Sequence, residues 1–180
     1  MNSTWSEELV AEWLELNGWF VQTGVPLASK EAGGRGEADV VGLKIVDGEP
    51  HILHVEVGSL GQAPEDNLKT VRKKFAPENR KYLLDGMGLK KAHWQSRYVA
   101  TWVSTPTLNL IRKADFQIDR LEEVIKDEII LDLAAWKLKE GKNRRSGQAP
   151  TPPIKLWLIC FLDFIMTHRV PLVQLHEHSR

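Results

Sequence analysis

Two carboxylates stand inside segments that otherwise have the composition of apolar strands. Asp39 lies in "GEADVVGL", and Glu56 lies in the middle of "HILHVEVGSL". A carboxylate buried in a strand costs free energy unless it is paired, hydrogen-bonded or bound to a metal. Alternate residues of a strand share a face, so Asp39 and Glu56 face the same way if the two segments pair as a hairpin. Such a pair shares a proton or binds a cation, and hard oxygen ligands favour magnesium or manganese.

Two further side chains are candidates for the same site. "STWSEELVAEWLELNG" predicts an amphipathic helix, and Glu7 lies at the edge of its apolar face. Glu7 is therefore the candidate third carboxylate, with Glu8 in reserve, although acids in a first turn also favour the helix dipole. His54 shares the predicted face of Glu56, but a single histidine on a sheet face is more often a core residue whose hydrogen bonds are satisfied.

The order and spacing of these segments resemble the PD-(D/E)XK, or restriction-endonuclease-like, superfamily over about residues 5–105. The resemblance rests on a helix with Glu7, a strand beginning in "GEADVVGL", an apolar strand with Glu56 and a following basic helix. It implies that Asp39 and Glu56 bind Mg²⁺ (or Mn²⁺), that Glu7 assists, and that the backbone carbonyl of Val57 completes the metal shell. The implied activity is hydrolysis of DNA phosphodiester bonds in restriction, repair or junction resolution.

The sequence departs from the family pattern at one position that matters for catalysis. The family's lysine, two residues after the glutamate, falls at Gly58. That lysine neutralises charge that develops on the phosphate, and glycine cannot do so. The helix predicted at "PEDNLKTVRKKF" offers Lys69 or Lys73 as a relocated catalytic lysine. The alternative is a catalytically degenerate protein of the same fold that serves as a nucleic-acid-binding or protein-interaction module.

The distribution of charge indicates a polyanionic partner better than the total charge does. Formal net charge is zero, but acids dominate residues 7–65 and bases dominate residues 69–97. An acidic pocket beside a basic surface suits a divalent metal beside DNA, and two ordinary solvated faces would produce the same pattern. Arg35, Arg72 and Lys74 are the candidate phosphate contacts, and Trp94, in "KKAHWQSR", is the candidate for stacking on a base.

Composition excludes several other classes of site. The single cysteine, Cys160, rules out an internal disulfide and a cysteine-based zinc site. "GGRGEAD" matches neither a P-loop nor a dinucleotide fingerprint.

The longest apolar run, "IKLWLICFLDFIM", is shorter than the roughly 20 residues that a membrane span requires. With no visible signal peptide, we expect a cytoplasmic protein that has no membrane partner.

The elements that must position these residues alternate in type along the chain. The pattern predicts helix, three-stranded meander, helix and strand: an α/β fold with a restriction-endonuclease-like core, a mixed sheet flanked by helices. We expect this core over residues 1–115, with "KEAGGRGEAD" as a loop. A helical C-terminal extension is expected over 116–180, with a linker near 141–153. Its apolar faces could cover the sheet or form a homodimer interface, and a helicase or methylase is a possible partner protein.

Overall fold

Five strands form a mixed sheet in the order β1–β2–β3–β4–β5, which confirms an α/β fold with helices flanking the sheet. The computed structural model describes residues 4–31, 34–143 and 150–168. β1 to β3 form an antiparallel meander, whereas β4 and β5 run parallel to β3. The strands are β1 Phe20–Glu31, β2 Gly34–Val46, β3 Glu49–Leu60, β4 His93–Val103 and β5 Gln117–Arg120.

Helices precede, interrupt and follow the sheet. A π-helical turn at Ile125–Ile129 joins the fifth helix to the sixth without a break. The α-helices are α1 Trp5–Leu16, α2 Pro64–Lys74, α3 Pro77–Gly86, α4 Thr105–Lys113, α5 Leu121–Val124, α6 Ile130–Asn143 and α7 Trp157–His168.

The first helix forms where its capping residues and apolar spacing predict it. Thr4 and Glu7 make a capping box, in which each side chain binds the other residue's backbone N–H. The apolar side chains predicted to share one face are all buried, namely Leu9, Val10, Trp13 and Leu14. α1 therefore packs on the sheet through that face. The acids of its first turn are Glu7 and Glu8.

The hairpin between β2 and β3 sets the register of the two strands. Asp47 and Gly48 both have positive φ (52° and 81°), as a tight two-residue hairpin turn requires, and Val46 pairs with Glu49. The same register pairs Val41 with His54. The prediction that these two segments form a hairpin is confirmed.

Three element boundaries differ from those predicted. Most of the "KEAGGRGEAD" segment is strand, because β1 and β2 stay paired as far as Glu31 and Gly34. The β1–β2 register has an irregularity between Pro26 and Lys30. At the other end, Gln117–Arg120 forms a short parallel strand inside the extension expected to be helical, and the helix that follows begins at Leu121.

Both faces of the sheet are covered. On one face, Val40, Val55 and Val57 pack against α1 and the C-terminal helices. On the other face, Tyr98 and Ala100 pack against α2 and α4, while Val41 and Ile52 pack against Leu83 of α3. Asp39, His54 and Glu56 have the strand parity of this second face, beneath α2 and α3.

The C-terminal helices belong to the same hydrophobic core as α1. Leu121, Leu133 and Ile159 are buried in one cluster with Val10 and Val40. The division expected at 115/116 falls between α4 and β5, and β5 is a strand of the central sheet. In the described chain, α6 continues to Asn143, into the expected linker. None of the described helices has both the length and the apolar character of a membrane span.

Candidate active site

Asp39 and Glu56 come from adjacent strands. The register that pairs Val40 with Val55 places Asp39 opposite Glu56 when it is continued by one residue. The Val57 backbone N–H donates a hydrogen bond to Asp39 Oδ2 at 2.7 Å. The two carboxylates therefore lie side by side on one face of the sheet, as the strand pattern predicts.

Glu56 is a buried carboxylate with a partner for each oxygen. Its side chain is 1% exposed. Oε1 is 2.6 Å from Nε2 of the equally buried His54, and Oε2 is 2.8 Å from Lys74 Nζ. A buried charge needs both a counter-charge and hydrogen bonds, and these two contacts supply them.

The surroundings of Asp39 disfavour the ionised form of its carboxyl. The pKa of its carboxyl is raised from 3.8 to about 7, chiefly by burial and next by the charge of Glu56. The Val57 N–H and the Lys74 ammonium oppose this shift without cancelling it. A carboxylate whose charge is this unfavourable gains from any cation placed beside it, so Asp39 has the electrostatics of a cation ligand.

Lys74 is the lysine that the fold brings to the carboxylates. It lies at the end of α2, and its Nζ also donates to the backbone carbonyl of Glu37 at 2.7 Å. Lys69, predicted as a relocated catalytic lysine, is 74% exposed and forms a surface ion pair with Asp66 at 2.9 Å. Lys73 and Arg72 are exposed on the same helix. Lys74 is also a predicted DNA phosphate contact, and the structure places its ammonium against Glu56.

Helical spacing explains why α2 presents Lys74. The buried residues of α2 include Asn67 and Val71. Lys74 lies seven residues after the first and three after the second, on the same face of the helix. That spacing is visible in the sequence, but only the packing of α2 on the sheet shows that this face of the helix reaches Glu56.

Gly58 leaves space that another side chain enters. A Cβ atom at residue 58 would lie 3.3 Å from the hydroxyl oxygen of Tyr98. Tyr98 is the β4 neighbour of Glu56 in the parallel register and is 7% exposed. Burial raises the pKa of its phenol, and the charges of Glu56 and Asp39 raise it further. Sequence analysis did not identify Tyr98, because the register between β3 and β4 is set by tertiary packing.

Glu7 lies close enough to influence Asp39, although α1 covers the other face of the sheet. Its charge contributes to the raised pKa of Asp39, as the smallest of the causes. Its own carboxylate accepts hydrogen bonds from the Thr4 hydroxyl at 2.9 Å and the Thr4 backbone at 3.3 Å. Glu7 thus caps α1 at the end of the sheet where Asp39 lies.

Trp94, the candidate for stacking on a base, packs against side chains of the protein. Trp94 is half-buried, with its indole N–H donated to Ser96 and its ring edge-on to His54 at 6.1 Å between ring centroids. The Arg80 guanidinium lies 5.5 Å from the centroid of the Trp94 ring. The side chain of Arg35 lies outside the described residues.

The donor set of the site fits magnesium or manganese better than zinc. Asp39 and Glu56 offer hard oxygens, and after burial the charge of Glu56 is the next cause of the raised pKa of Asp39. Within the described residues, no three His, Cys, Asp or Glu side chains are grouped to hold a metal. Mg²⁺ is commonly held by one or two carboxylates, with water and substrate phosphate as its other ligands.

Comparisons with known proteins add little to this picture. No family model matches the sequence, and no curated protein does. A solved structure described as "Crystal Structure of Protein of Unknown Function AF1548" is 12% identical, with a TM-score of 0.39. The match covers 91% of this chain and 97% of that chain.

Proposed function

We propose that the protein is a metal-dependent nuclease that hydrolyses DNA phosphodiester bonds, with Lys74 as its relocated lysine. The observation that carries this proposal is the contact between Lys74 Nζ and buried Glu56, beside Asp39. Two carboxylates and a lysine are the groups that the PD-(D/E)XK resemblance leads us to expect. The restriction-endonuclease-like arrangement of the core is part of the proposal.

Asp39 and Glu56 would hold Mg²⁺ (or Mn²⁺), with the Val57 carbonyl as a further ligand. When bound, the metal lowers the pKa of a coordinated water and polarises the phosphate. Lys74 fixes the orientation of Glu56 and supplies positive charge where negative charge develops on the phosphate. His54 holds the other oxygen of Glu56, which restricts the carboxylate to one orientation.

The basic surface beside the site suits the DNA backbone. Arg72 and Lys73 are exposed on α2, the helix that carries Lys74, and Arg80 is exposed on α3. Exposed arginine and lysine side chains provide affinity for phosphates that does not depend on base sequence and weakens with salt. We propose DNA as the substrate, and a helicase or methylase as a possible partner protein.

Replacement of Lys74 tests this proposal. We expect Lys74→Met to reduce Mg²⁺-dependent cleavage of duplex, branched or single-stranded DNA by at least about 100-fold, comparable to the loss of one transition-state donor. Lys69→Met, which removes a surface lysine of the same helix, should cleave as the wild type does. Asp39→Asn and Glu56→Gln should abolish cleavage. Wild-type protein that is inert on all three substrates with Mg²⁺ or Mn²⁺ would overturn the proposal.

A stability measurement separates catalysis by Lys74 from a purely structural role. Lys74→Met leaves Glu56 buried without its cation, which costs about 3–5 kcal/mol for a broken buried pair. Mg²⁺ should restore part of the lost thermal stability, because it supplies counter-charge to Asp39 and Glu56. In Mg²⁺, at a temperature where Lys74→Met is folded, cleavage should still be lost. Cleavage at the wild-type rate by the folded variant would show that Lys74 acts only through folding.

A second candidate is a catalytically degenerate protein that binds nucleic acid or another protein. Two observations favour it: Gly58 replaces the family's lysine, and both oxygens of Glu56 already have protein partners. This candidate predicts salt-sensitive DNA binding that neither a chelator nor Asp39→Ala changes. Binding that requires Mg²⁺ and is lost in Asp39→Ala would exclude it.

A further inference from the structure

The hydroxyl of Tyr98 occupies the place beside the carboxylates that Gly58 leaves open. It lies 3.3 Å from the position of a Cβ at residue 58. Tyr98 also neighbours Glu56 across the β3–β4 ladder. The aromatic ring packs in the core with Leu68 and Val71 of α2. A packed ring holds the hydroxyl at a fixed point next to Asp39 and Glu56.

The Tyr98 hydroxyl makes no hydrogen bond to any residue in the described part of the chain. Gly58 is partly exposed, so the space above it opens to solvent. A phenol is protonated at neutral pH and donates one hydrogen bond. The hydroxyl donates to neither Asp39 nor Glu56, so a ligand oxygen that enters the open space can accept its hydrogen bond.

We infer that Tyr98 is a substrate-contacting residue whose hydroxyl donates a hydrogen bond to a phosphate oxygen of the bound DNA, next to Gly58. This inference rests on the proposed nuclease function. Tyr98 and Lys74 together then replace the strand lysine of the family. Lys74 supplies positive charge from α2, and Tyr98 supplies a hydrogen-bond donor from β4. A Cβ at residue 58 would lie in tight contact with the donor, so glycine is the residue that leaves the hydroxyl uncrowded.

Tyr98→Phe tests the inference because it removes one oxygen and keeps the packed ring. We expect kcat for DNA cleavage to fall by about 100-fold, with a smaller change in KM, since the contact strengthens as charge develops. Tyr82→Phe, at the chain's other tyrosine on α3, is the matched control and should leave kcat unchanged. A wild-type enzyme that cleaves DNA, with Tyr98→Phe cleaving equally fast, would overturn the inference.

A binding measurement keeps the inference testable if the wild type cleaves nothing. Protein labelled with ¹³C at the tyrosine Cζ is titrated with a short phosphorothioate duplex in Mg²⁺. A shift of the Tyr98 signal, without one for Tyr82, supports the phosphate contact even where the nuclease proposal fails. An unmoved Tyr98 signal in a complex that forms would refute the contact, whatever the activity.

A double-mutant cycle tests the spatial part of the inference. A new Cβ at residue 58 crowds the Tyr98 hydroxyl, so Gly58→Ala should be less favourable in the wild type than in Tyr98→Phe. The free energies of unfolding of the four proteins give the coupling. Equal effects of Gly58→Ala in both backgrounds would contradict the close approach.

Discussion

At the scale of residues, the site is explained by how each buried charge is compensated. Glu56 is fully buried and has a histidine and a lysine within hydrogen-bond distance. Asp39 has one backbone donor and a carboxylate neighbour, and its pKa rises to about 7. Among the described residues, Glu56 forms an ion pair with Lys74, whereas Asp39 accepts a hydrogen bond from a backbone N–H, so the cost of charge differs between the two carboxylates. The less compensated member, Asp39, should respond most to pH and to added cations.

Asp39→Asn should stabilise the protein at pH 8. The folded-state pKa of Asp39 is about 7, above its ordinary 3.8, so between these values the folded state binds more protons than the unfolded state. The contribution of Asp39 to the free energy of unfolding is therefore fully present below about pH 4 and is lost as the pH rises through 7. Urea unfolding should show Asp39→Asn to be more stable than the wild type at pH 8, with the difference vanishing near pH 4.

Mg²⁺ provides the complementary measurement on the same variant. Added Mg²⁺ should raise the unfolding temperature of the wild type at pH 8 and leave that of Asp39→Asn nearly unchanged, because the variant lacks one ligand. Asp47→Asn, in the exposed turn between β2 and β3, is the matched control and should behave as the wild type. An identical Mg²⁺ response in both Asn variants would argue against Asp39 as a ligand.

At the scale of elements, α7 is attached to the rest of the fold through a carboxylate of α1. Glu12 is 6% exposed, and its Oε2 accepts a hydrogen bond from the Ile159 backbone N–H at 2.9 Å. It therefore caps the first turn of a helix far away in sequence. Glu12 Oε1 has no partner among the described residues, and burial raises the pKa of this carboxyl.

Glu12→Ala should loosen α7 without unfolding the sheet. Loss of a helix cap costs about 1 kcal/mol, and the first backbone amides of α7 should exchange hydrogen faster. Cys160, the single cysteine, reports on the same event, because its thiol should react faster when α7 separates from α1. Glu8→Ala, on the same helix, serves as the control. Unchanged amide exchange and thiol reactivity in Glu12→Ala would rule out this role.

At the scale of the whole molecule, the C-terminal helices cover the core and leave a second apolar face in contact with solvent. Trp157, Phe161 and Phe164 of α7 are each more than half exposed, at a spacing that places them on one side of the helix. Leu131 and Leu138 of α6 are also exposed. Contiguous exposed apolar surface often marks a protein interface, and this surface is where we place the proposed homodimer.

Sedimentation velocity tests the homodimer. We expect the wild type to sediment as a dimer and the double variant Phe161→Asp/Phe164→Asp to sediment as a monomer, since buried charge would disfavour association. Phe20→Asp is the control, because Phe20 is 74% exposed on β1 and belongs to another surface. A wild-type monomer at micromolar concentration would contradict the proposal.

The sequence alone determined the local elements and the pairing of the carboxylates. Capping residues and apolar spacing located α1, and a two-residue turn with Gly48 located the β2–β3 hairpin. Strand parity then placed Asp39 and Glu56 on one face, because side chains alternate with a period of two. These features depend on contacts between residues that are close in the chain, so they can be inferred from local patterns.

Only the tertiary structure decided which lysine approaches Glu56 and what occupies the space above Gly58. The rotation of α2 on the sheet selects Lys74 over Lys69, and the β3–β4 register brings Tyr98 to Gly58. The sequence left open whether the C-terminal helices cover the sheet, and it did not reveal the strand β5. Each depends on packing between segments distant in sequence, where burial of apolar surface, not local propensity, sets the register.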